Sequence, residues 1–129
     1  MLQLIDTSVW IDFFHNPAAG LRHALDADEV LGYTEPVLME LLAGCRTSRQ
    51  ETDIKRLLAR GPILNFDPGS DFVTAAKVYQ QARRIGVTPN SYVDCMIITV
   101  ARNHGAVLRT LDAGQMRIAR VVGVAVVPN

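Results

Sequence analysis

Short apolar runs alternate with longer helix-patterned segments along this 129-residue sequence, and this alternation restricts its fold more than any other feature. The apolar runs are residues 2–5, 30–33, 63–66, 106–109 and 124–127. Strands that alternate with helices favour a parallel sheet with helices on both faces. The sequence therefore predicts an α/β fold built on a parallel sheet.

Length and charge narrow the class of protein. A chain of 129 residues is typical of one domain, which we expect to span residues 1–129. Its hydrophobic content of 49% is enough for a core without disulfides or a structural metal. The formal net charge of zero gives no general basic surface for nucleic acid, so such contacts would have to come from local arginine patches.

The cysteines and the N-terminus indicate the compartment. Cys45 and Cys95 lie far apart and do not have the spacing of a zinc site, so we expect reduced, buried thiols. The first residues lack the basic start and long apolar run of a signal peptide. The longest apolar runs are too short to span a bilayer. We therefore expect a cytoplasmic protein that does not contact a membrane.

Capping residues, prolines and glycines mark the ends of three predicted helices. The boundaries lie at Thr34 and Gly44, at the turn 67–70 and Ile85, and at the segments 90–94 and 103–105.

Two acids follow predicted strands. Asp6 comes directly after the run 2–5, and Asp112 comes shortly after the run 106–109. In open α/β sheets, ligands bind at the edge formed by the carboxyl ends of the strands. Each acid also has a simpler interpretation as a helix N-cap, which we prefer when either acid is considered alone.

Two further acids lie on predicted helices. The helical neighbours of Glu40 three and four residues away are apolar or small, so its carboxylate has no cationic partner on its own helix. If that face is buried, the charge needs a cation from elsewhere; if the face is exposed, Glu40 is an ordinary surface acid. Asp94 precedes a buried apolar segment, and its simpler role is to cap that helix together with Ser91.

Considered jointly, these acids favour a metal site. Carboxylates that share a site oppose one another's ionisation, so a cluster of them needs a compensating cation at neutral pH. Oxygen ligands without nearby His or Cys suit Mg²⁺ or Mn²⁺ better than zinc. The predicted catalytic and metal-binding residues are Asp6, Glu40, Asp94 and Asp112, which we call the acidic quartet.

The segments around the acidic quartet resemble the four motifs of the PIN-domain family, and in particular those of its VapC-type ribonuclease toxins. Residues 4–12, LIDTSVWID, are similar to the first motif, and residues 34–44, TEPVLMELLAG, are similar to the second. Residues 93–97, VDCMI, are similar to the third, and residues 107–112, VLRTLD, to the fourth. The order and spacing of the motifs agree across essentially the whole chain.

This resemblance implies a fold, an activity and partners. The fold is a PIN-like three-layer α/β/α sandwich with a five-stranded parallel sheet, and the activity is that of an Mg²⁺-dependent endoribonuclease, with Mn²⁺ able to substitute. The substrate is tRNA, rRNA or mRNA, and its cleavage inhibits translation. The partners are a second copy of the chain and a VapB-type antitoxin whose tail enters the active-site groove. Thr7 would support the acidic quartet through its hydroxyl.

The segment after Asp112 departs from the family's pattern. Many relatives carry a second acid and an aromatic residue there, whereas this chain reads DAGQM at residues 112–116. We therefore expect one metal ion and leave a second open. Glu35 is a further acid in the second motif, but its place in the first helical turn suits interaction with the helix dipole at least as well.

Arginine supplies most of the basic residues and suits bidentate contact with phosphate. Ordinary solvated surface charge is the simpler interpretation of each one. The candidates for RNA contact follow Glu40 or surround Asp112, and they are Arg46, Arg49, Arg109, Arg117 and Arg120.

Apolar side chains near the motifs also have two interpretations. We expect Trp10, Phe13 and Phe14 in the core or at a dimer surface rather than stacked on RNA bases. The apolar residues 37, 38, 41 and 42 form either core or a groove for a partner helix. The three histidines have no ligand spacing and receive no role.

Other classes of protein fit the sequence less well. A phosphoryl-signalling receiver needs paired acids after the first strand and a late lysine, but Asp6 has no adjacent acid and no lysine follows Lys77. An Asp-x-Asp phosphatase would need an acid at position 8, which is Ser8. A catalytically silent PIN-like binding module and a free-standing RNA-processing nuclease remain as alternatives.

Overall fold

The computed structural model describes residues 1–18, 20–27 and 29–128, which contain seven helices and four strands. In chain order they are β1 (Leu2–Ile5), α1 (Thr7–His15), α2 (Gly20–Asp26), β2 (Val30–Gly32), α3 (Glu35–Ala43), α4 (Ser48–Leu58), α5 (Asp71–Arg84), α6 (Tyr92–Asn103), β3 (Val107–Thr110), α7 (Ala113–Val121) and β4 (Val126–Pro128).

The four strands form one parallel sheet in the order β2-β1-β3-β4. Leu4 of β1 lies opposite Gly32 of β2 on one side and Leu108 of β3 on the other. The chain therefore passes from β1 to one neighbour and later returns to the other side of β1. The carboxyl ends of β1 and β3 form the point at which the strand order reverses, where α/β sheets bind their ligands.

Helices cover both faces of this sheet. Three consecutive residues of β1 are almost fully buried, with exposed fractions of 2% for Gln3 and 0% for both Leu4 and Ile5. Neighbouring residues on a strand point to opposite faces, so burial of all three requires cover on both sides. The predicted α/β fold with a covered parallel sheet is confirmed. Within the described ranges, no helix is both long enough and apolar enough to cross a membrane.

The prediction of a fifth strand is wrong. Residues 63–66 contribute only an isolated bridge to Tyr33, in which the N–H of Leu64 donates to the Tyr33 carbonyl at 2.7 Å. Pairing stops there because α3 begins at Glu35, so no extended backbone remains alongside. The next inward N–H, that of Phe66, donates instead to the carboxylate of Glu35 at 2.8 Å.

The boundaries of the three predicted helices agree with the punctuation in the sequence, whereas no boundaries were predicted for α2 and α4. Helices α3, α5 and α6 begin and end within a few residues of the predicted positions. Helix α4 follows a capping box in which the Thr47 hydroxyl accepts from the N–H of Gln50, and the Gln50 side chain accepts from the N–H of Thr47. This Thr-x-x-Gln pattern is a helix-start signal that the sequence contains.

The fold allows no side chain at residue 61. A Cβ at Gly61 would lie 1.8 Å from the carbonyl oxygen of Leu31 in β2, so the backbone would have to move. We predict that Gly61→Ala lowers the free energy of unfolding by about 3 kcal/mol or more, as measured by urea denaturation.

Gly44→Ala is the matched control for that measurement. Gly44 has a φ of −80°, and a Cβ there would meet no atom closer than 3.6 Å. Its free energy of unfolding should change by less than about 1 kcal/mol. Equal denaturation midpoints for the two variants would contradict the close approach at Gly61.

Candidate active site

The structure brings the acidic quartet together at the carboxyl edge of the sheet. Asp6 directly follows β1, Asp112 lies just beyond β3, Glu40 is on α3 and Asp94 is in the first turn of α6. Burial raises the pKa of Asp94, and the charges of the other three acids raise it further, to about 6, against the lowering effect of a hydrogen bond with Ser91. An electrostatic effect of this kind requires that the carboxylates of Asp6, Glu40 and Asp112 lie near that of Asp94.

Asp6 is the N-cap of α1 and lies almost fully buried, with 4% of its surface exposed. Its Oδ2 accepts from the backbone N–H of Ser8 at 3.2 Å and from the Ser8 hydroxyl at 2.5 Å. The N–H of Asp6 itself donates to the carbonyl of Arg109 at 2.9 Å, which continues the pairing of β1 with β3. The position of this carboxylate is therefore set by the sheet and by the start of α1.

Two further side chains contact Asp6, Thr110 at the end of β3 and Gln115 on α7. The Gln115 Nε2 donates to Asp6 Oδ1 at 3.4 Å, and the Thr110 hydroxyl lies 3.2 Å from Asp6 Oδ2 and 2.6 Å from Gln115 Oε1. Gln115 and Thr110 are 2% and 0% exposed. The contacts of Asp6 thus come from three separate elements.

Asp112 is both an N-cap and a member of the acidic quartet. Its Oδ1 accepts from the backbone N–H of Gln115 at 3.1 Å at the start of α7, and its Oδ2 accepts from Asn90 Nδ2 at 2.5 Å. The N-cap interpretation is therefore correct for Asp112, as it is for Asp6. Capping a helix requires only one oxygen of the carboxylate to accept a backbone N–H. The same side chain can therefore also contribute to a metal site.

Glu40 and Asp94 are held by neighbouring hydroxyls. The Thr7 hydroxyl donates to Glu40 Oε1 at 2.7 Å, in agreement with the supporting role that the resemblance implies for Thr7. Glu40 is half-buried, and no ion pair within the described ranges includes it. The backbone N–H of Asp94 donates to the Ser91 hydroxyl at 3.4 Å, so Ser91 is the N-cap of α6.

Glu35 has a structural role. Its carboxylate accepts from Asn65 Nδ2 at 2.9 Å and from the N–H of Phe66 at 2.8 Å. Although burial raises the pKa of Glu35, these hydrogen bonds lower it overall. Glu35 therefore fixes the segment that follows Ile63 against α3.

The arginine and aromatic candidates separate into buried and exposed groups. Arg109 is 9% exposed in the middle of β3 and donates from Nε to Gln3 Oε1 at 2.8 Å, so it is not a surface contact for RNA. Burial lowers its pKa. Trp10 and Phe13 lie in the core, as one of their two interpretations predicts, whereas Phe14 is 40% exposed.

Phe14 lies at the wall of a cavity of about 560 Å³ between α1, α3 and α4. The acid Glu40 lies at this cavity, and the apolar lining includes Ile11, Leu41 and Ile54. Of the predicted groove residues, Leu41 lines the cavity while Val37 is core with 0% exposure. A mainly apolar depression therefore adjoins the acidic quartet.

The donor set fits a hard divalent cation. The quartet supplies only carboxylate oxygens. Burial and the charges of the other three acids raise the pKa of Asp94, and a cation bound among them would relieve both effects. No three His, Cys, Asp or Glu side chains in the described part of the chain already stand close enough to enclose an ion. Mg²⁺ keeps several waters and takes few carboxylates directly, so the quartet would hold such an ion partly through water.

Sequence reasoning missed the polar residues that hold the carboxylates. Ser8, Thr110 and Gln115 contact Asp6, and Asn90 contacts Asp112. Thr110 and Ser8 each lie two residues from a quartet acid, a spacing that could have identified them. Gln115 gave no signal, because a glutamine in the first turn of a helix is ordinarily exposed.

The raised pKa of Asp94 predicts an unusual dependence of stability on pH. The native protein keeps this proton up to about pH 6, whereas the unfolded chain releases it near the ordinary value of 3.8. Ionisation of Asp94 therefore lowers the free energy of unfolding as the pH rises from about 4 to about 6, and the full penalty remains above that range. In EDTA near pH ~7.5, we predict that Asp94→Asn raises the free energy of unfolding by on the order of 1–2 kcal/mol, allowing for partial solvent screening.

Urea denaturation near pH ~4 and pH ~7.5 tests this prediction, because the gain should vanish at the lower pH. Asp26→Asn is the control, since Asp26 lies on the surface in an ion pair with Arg22 at 3.4 Å and should show little change at either pH. Loss of stability in Asp94→Asn near pH ~7.5 would contradict a crowded carboxylate cluster.

Both a family model and sequence relatives connect this chain to PIN-domain proteins. The model of the PIN domain matches residues 4–121. A VapC ribonuclease of Mycobacterium bovis is 37% identical over 123 residues, which cover 92% of this chain and 92% of that protein. Ribonuclease VapC11 of Mycobacterium tuberculosis matches with the same identity and coverage.

Several solved structures with a similar fold are chains of VapBC complexes. A DNA-bound VapBC complex from Salmonella typhimurium contains a chain with a TM-score of 0.80 and 22% identity, over 99% of this chain and 98% of that one. A chain of VapBC-1 from nontypeable Haemophilus influenzae has a TM-score of 0.76 and 18% identity, over 99% and 98% of the two chains. With the family-model match and the sequence relatives, this shared fold shows that the chain belongs to the PIN-domain family, among its VapC-type members.

Proposed function

We propose that this protein is an Mg²⁺-dependent endoribonuclease, with Mn²⁺ able to substitute, and that it is the toxin of a toxin–antitoxin pair. The observation that carries this proposal is the convergence of four carboxylates from separate elements at the carboxyl edge of the sheet. The VapC ribonucleases that it resembles support the choice of RNA as substrate. We propose that it works in the cytoplasm as a homodimer and inhibits translation.

The acidic quartet would hold one divalent ion. Asp6, Glu40 and Asp94 are proposed as its ligands, directly or through water, and Asp112 completes the site. A bound ion of this kind lowers the pKa of a water molecule and neutralises charge on the phosphodiester. Thr7 and Ser8 keep the carboxylates of Glu40 and Asp6 in place through their hydroxyls.

Water is the proposed nucleophile. Its attack on phosphorus breaks the bond to the 3′-oxygen, which leaves with a proton, and the products carry a 5′-phosphate and a 3′-hydroxyl. A 2′,3′-cyclic phosphate would require attack by the ribose 2′-hydroxyl instead, which this proposal excludes.

Basic residues on α4 would supply the local positive charge that RNA binding needs, since the chain as a whole has a formal net charge of zero. Arg49 and Arg56 lie together at a shallow depression that shares Asp53 with the cavity beside Glu40. The contact of Arg49 with Asp53 is 3.9 Å long and exposed, so it holds the arginine weakly. RNA phosphates are proposed to bind along this side, whereas Arg109 is excluded by its burial.

RNA cleavage tests the activity directly. Purified protein, freed of any partner, is incubated with total bacterial RNA in Mg²⁺, in Mn²⁺ and in EDTA, and new 5′ ends are mapped. We expect discrete cuts with 5′-phosphate ends in either metal and none in EDTA. Asp94→Asn should reduce cleavage by at least about a hundred-fold, and Asp26→Asn should cut like the parent.

Each alternative outcome has a definite meaning. Absence of cuts together with absence of metal binding would favour the catalytically silent module. Cuts that persist in EDTA, or that end in 2′,3′-cyclic phosphate, would contradict the metal-assisted mechanism. Metal binding without cuts on total RNA would reject the proposed activity on these RNAs while the metal site stands.

The apolar cavity is the proposed contact for a VapB-type antitoxin segment. Ile11 is 46% exposed at this cavity, so a charge there would disturb an apolar contact without unfolding the protein. We predict that Ile11→Glu weakens binding of the protein encoded by the adjacent short reading frame by at least about ten-fold, measured by calorimetry, and spares metal binding.

Val73→Glu is the control, because Val73 is 63% exposed on α5 outside the cavity and should leave antitoxin affinity unchanged. Unchanged affinity in Ile11→Glu would contradict the cavity as the contact. If the adjacent reading frame encodes no binding partner, the free-standing RNA-processing nuclease becomes the better interpretation.

A further inference from the structure

We infer that Gln115 is a positioning residue that orients Asp6 toward the divalent ion. The inference rests on the proposed function for the presence of that ion, but its geometry is a property of the chain. Gln115 contacts two members of the acidic quartet at once. Its side-chain Nε2 donates to Asp6 Oδ1 at 3.4 Å, and its backbone N–H donates to Asp112 Oδ1 at 3.1 Å.

The burial of Gln115 requires an explanation. The residue is 2% exposed on α7, beside the buried apolar residues Ile118 and Ala119 of the same helix. Burying an amide costs free energy unless both of its polar atoms are hydrogen-bonded. Both atoms find their partners in the site, at Asp6 and at Thr110. A leucine would fill this core position without that requirement, so the amide serves the site.

The orientation of the amide is fixed by Thr110. The Thr110 hydroxyl has one proton, and its short contact of 2.6 Å with Gln115 Oε1 places the proton there. The opposite end of the amide, Nε2, therefore faces Asp6. The reversed amide would place a carbonyl oxygen against the carboxylate of Asp6 and lose the hydrogen bond to it.

The hydrogen bonds of Asp6 distinguish its two oxygens. Oδ2 accepts from both the N–H and the hydroxyl of Ser8, which uses its two lone pairs. Oδ1 accepts only from Gln115 among the described hydrogen bonds, so one lone pair remains. Oδ1 is therefore the oxygen with capacity to bind a cation, and Gln115 is the group that holds it.

Gln115→Met is the direct test, because methionine keeps the approximate volume of the side chain and removes both hydrogen bonds. The affinity for Mn²⁺ is measured by electron paramagnetic resonance, and thermal unfolding is measured in EDTA and in Mn²⁺. We expect the Mn²⁺ dissociation constant to rise by about ten-fold or more, as occurs when a partner of a metal ligand is removed. The parent's gain in melting temperature on adding Mn²⁺ should shrink accordingly.

Ile118→Val separates positioning from plain packing. Ile118 is 1% exposed on the same helix and takes part in no hydrogen bond of the site. This variant should melt at a lower temperature in EDTA and in Mn²⁺ alike, with an unchanged Mn²⁺ dissociation constant. Equal loss of Mn²⁺ affinity in Ile118→Val and Gln115→Met would assign a structural role to Gln115 and overturn the inference.

Gln115→Glu provides a second test if Gln115→Met does not fold. Glutamate keeps the size and the oxygen facing Thr110, but it places a carboxylate where the amide donates to Asp6. We expect a lower melting temperature than the parent in EDTA and recovery on addition of Mn²⁺. Equal melting temperatures of Gln115→Glu and the parent in EDTA would overturn the inference.

The test also separates this inference from the proposed function. If the parent binds Mn²⁺ and Gln115→Met binds it equally well, only the role of Gln115 is wrong. If the parent does not bind Mn²⁺ at all, the proposed metal-dependent activity and the role of Gln115 both fail.

Discussion

Repulsion between carboxylates is the constraint on which the rest of this structure depends. Burial raises the pKa of Asp94, and the charges of Asp6, Asp112 and Glu40 raise it further, to about 6. Such an arrangement lowers the stability of the fold, so the surrounding structure has to impose it. The parallel pairing of β1 with β3 does so, because it ends both strands at the same edge and continues to the N–H of Asp6.

Helix N-termini offset part of this repulsion. Asp6 and Asp112 are the N-caps of α1 and α7, and Asp94 lies in the first turn of α6. The unpaired N–H groups at the start of a helix carry partial positive charge and stabilise nearby carboxylates. Glu40 lies in the middle of α3, and its hydrogen bond comes from the hydroxyl of Thr7, the first residue of α1. Capping and site formation are thus two uses of the same residues.

The sequence predicts the fold class and the quartet but not the contacts that hold the quartet. Strand alternation and helix punctuation depend on neighbours along the chain, so β1, α3, α5 and α6 could be located. The prediction of a fifth strand is wrong because residues 63–66 have the apolar pattern of a strand, but the extended segment beside them ends at Tyr33, shortly before α3 begins. Arg109 and Gln115 are buried because of the helices and strands that pack around them, and the residues adjacent in sequence do not predict this packing.

Anomalous scattering from a crystal of the protein soaked in Mn²⁺ would show whether the four carboxylates form a metal site. The anomalous signal locates the ion independently of any assumption about its ligands. We expect a peak between the four carboxylates, with Asp6 Oδ1 rather than Oδ2 toward it. Full-occupancy Mn²⁺ elsewhere on the protein, with no peak between these carboxylates, would contradict the proposed metal site.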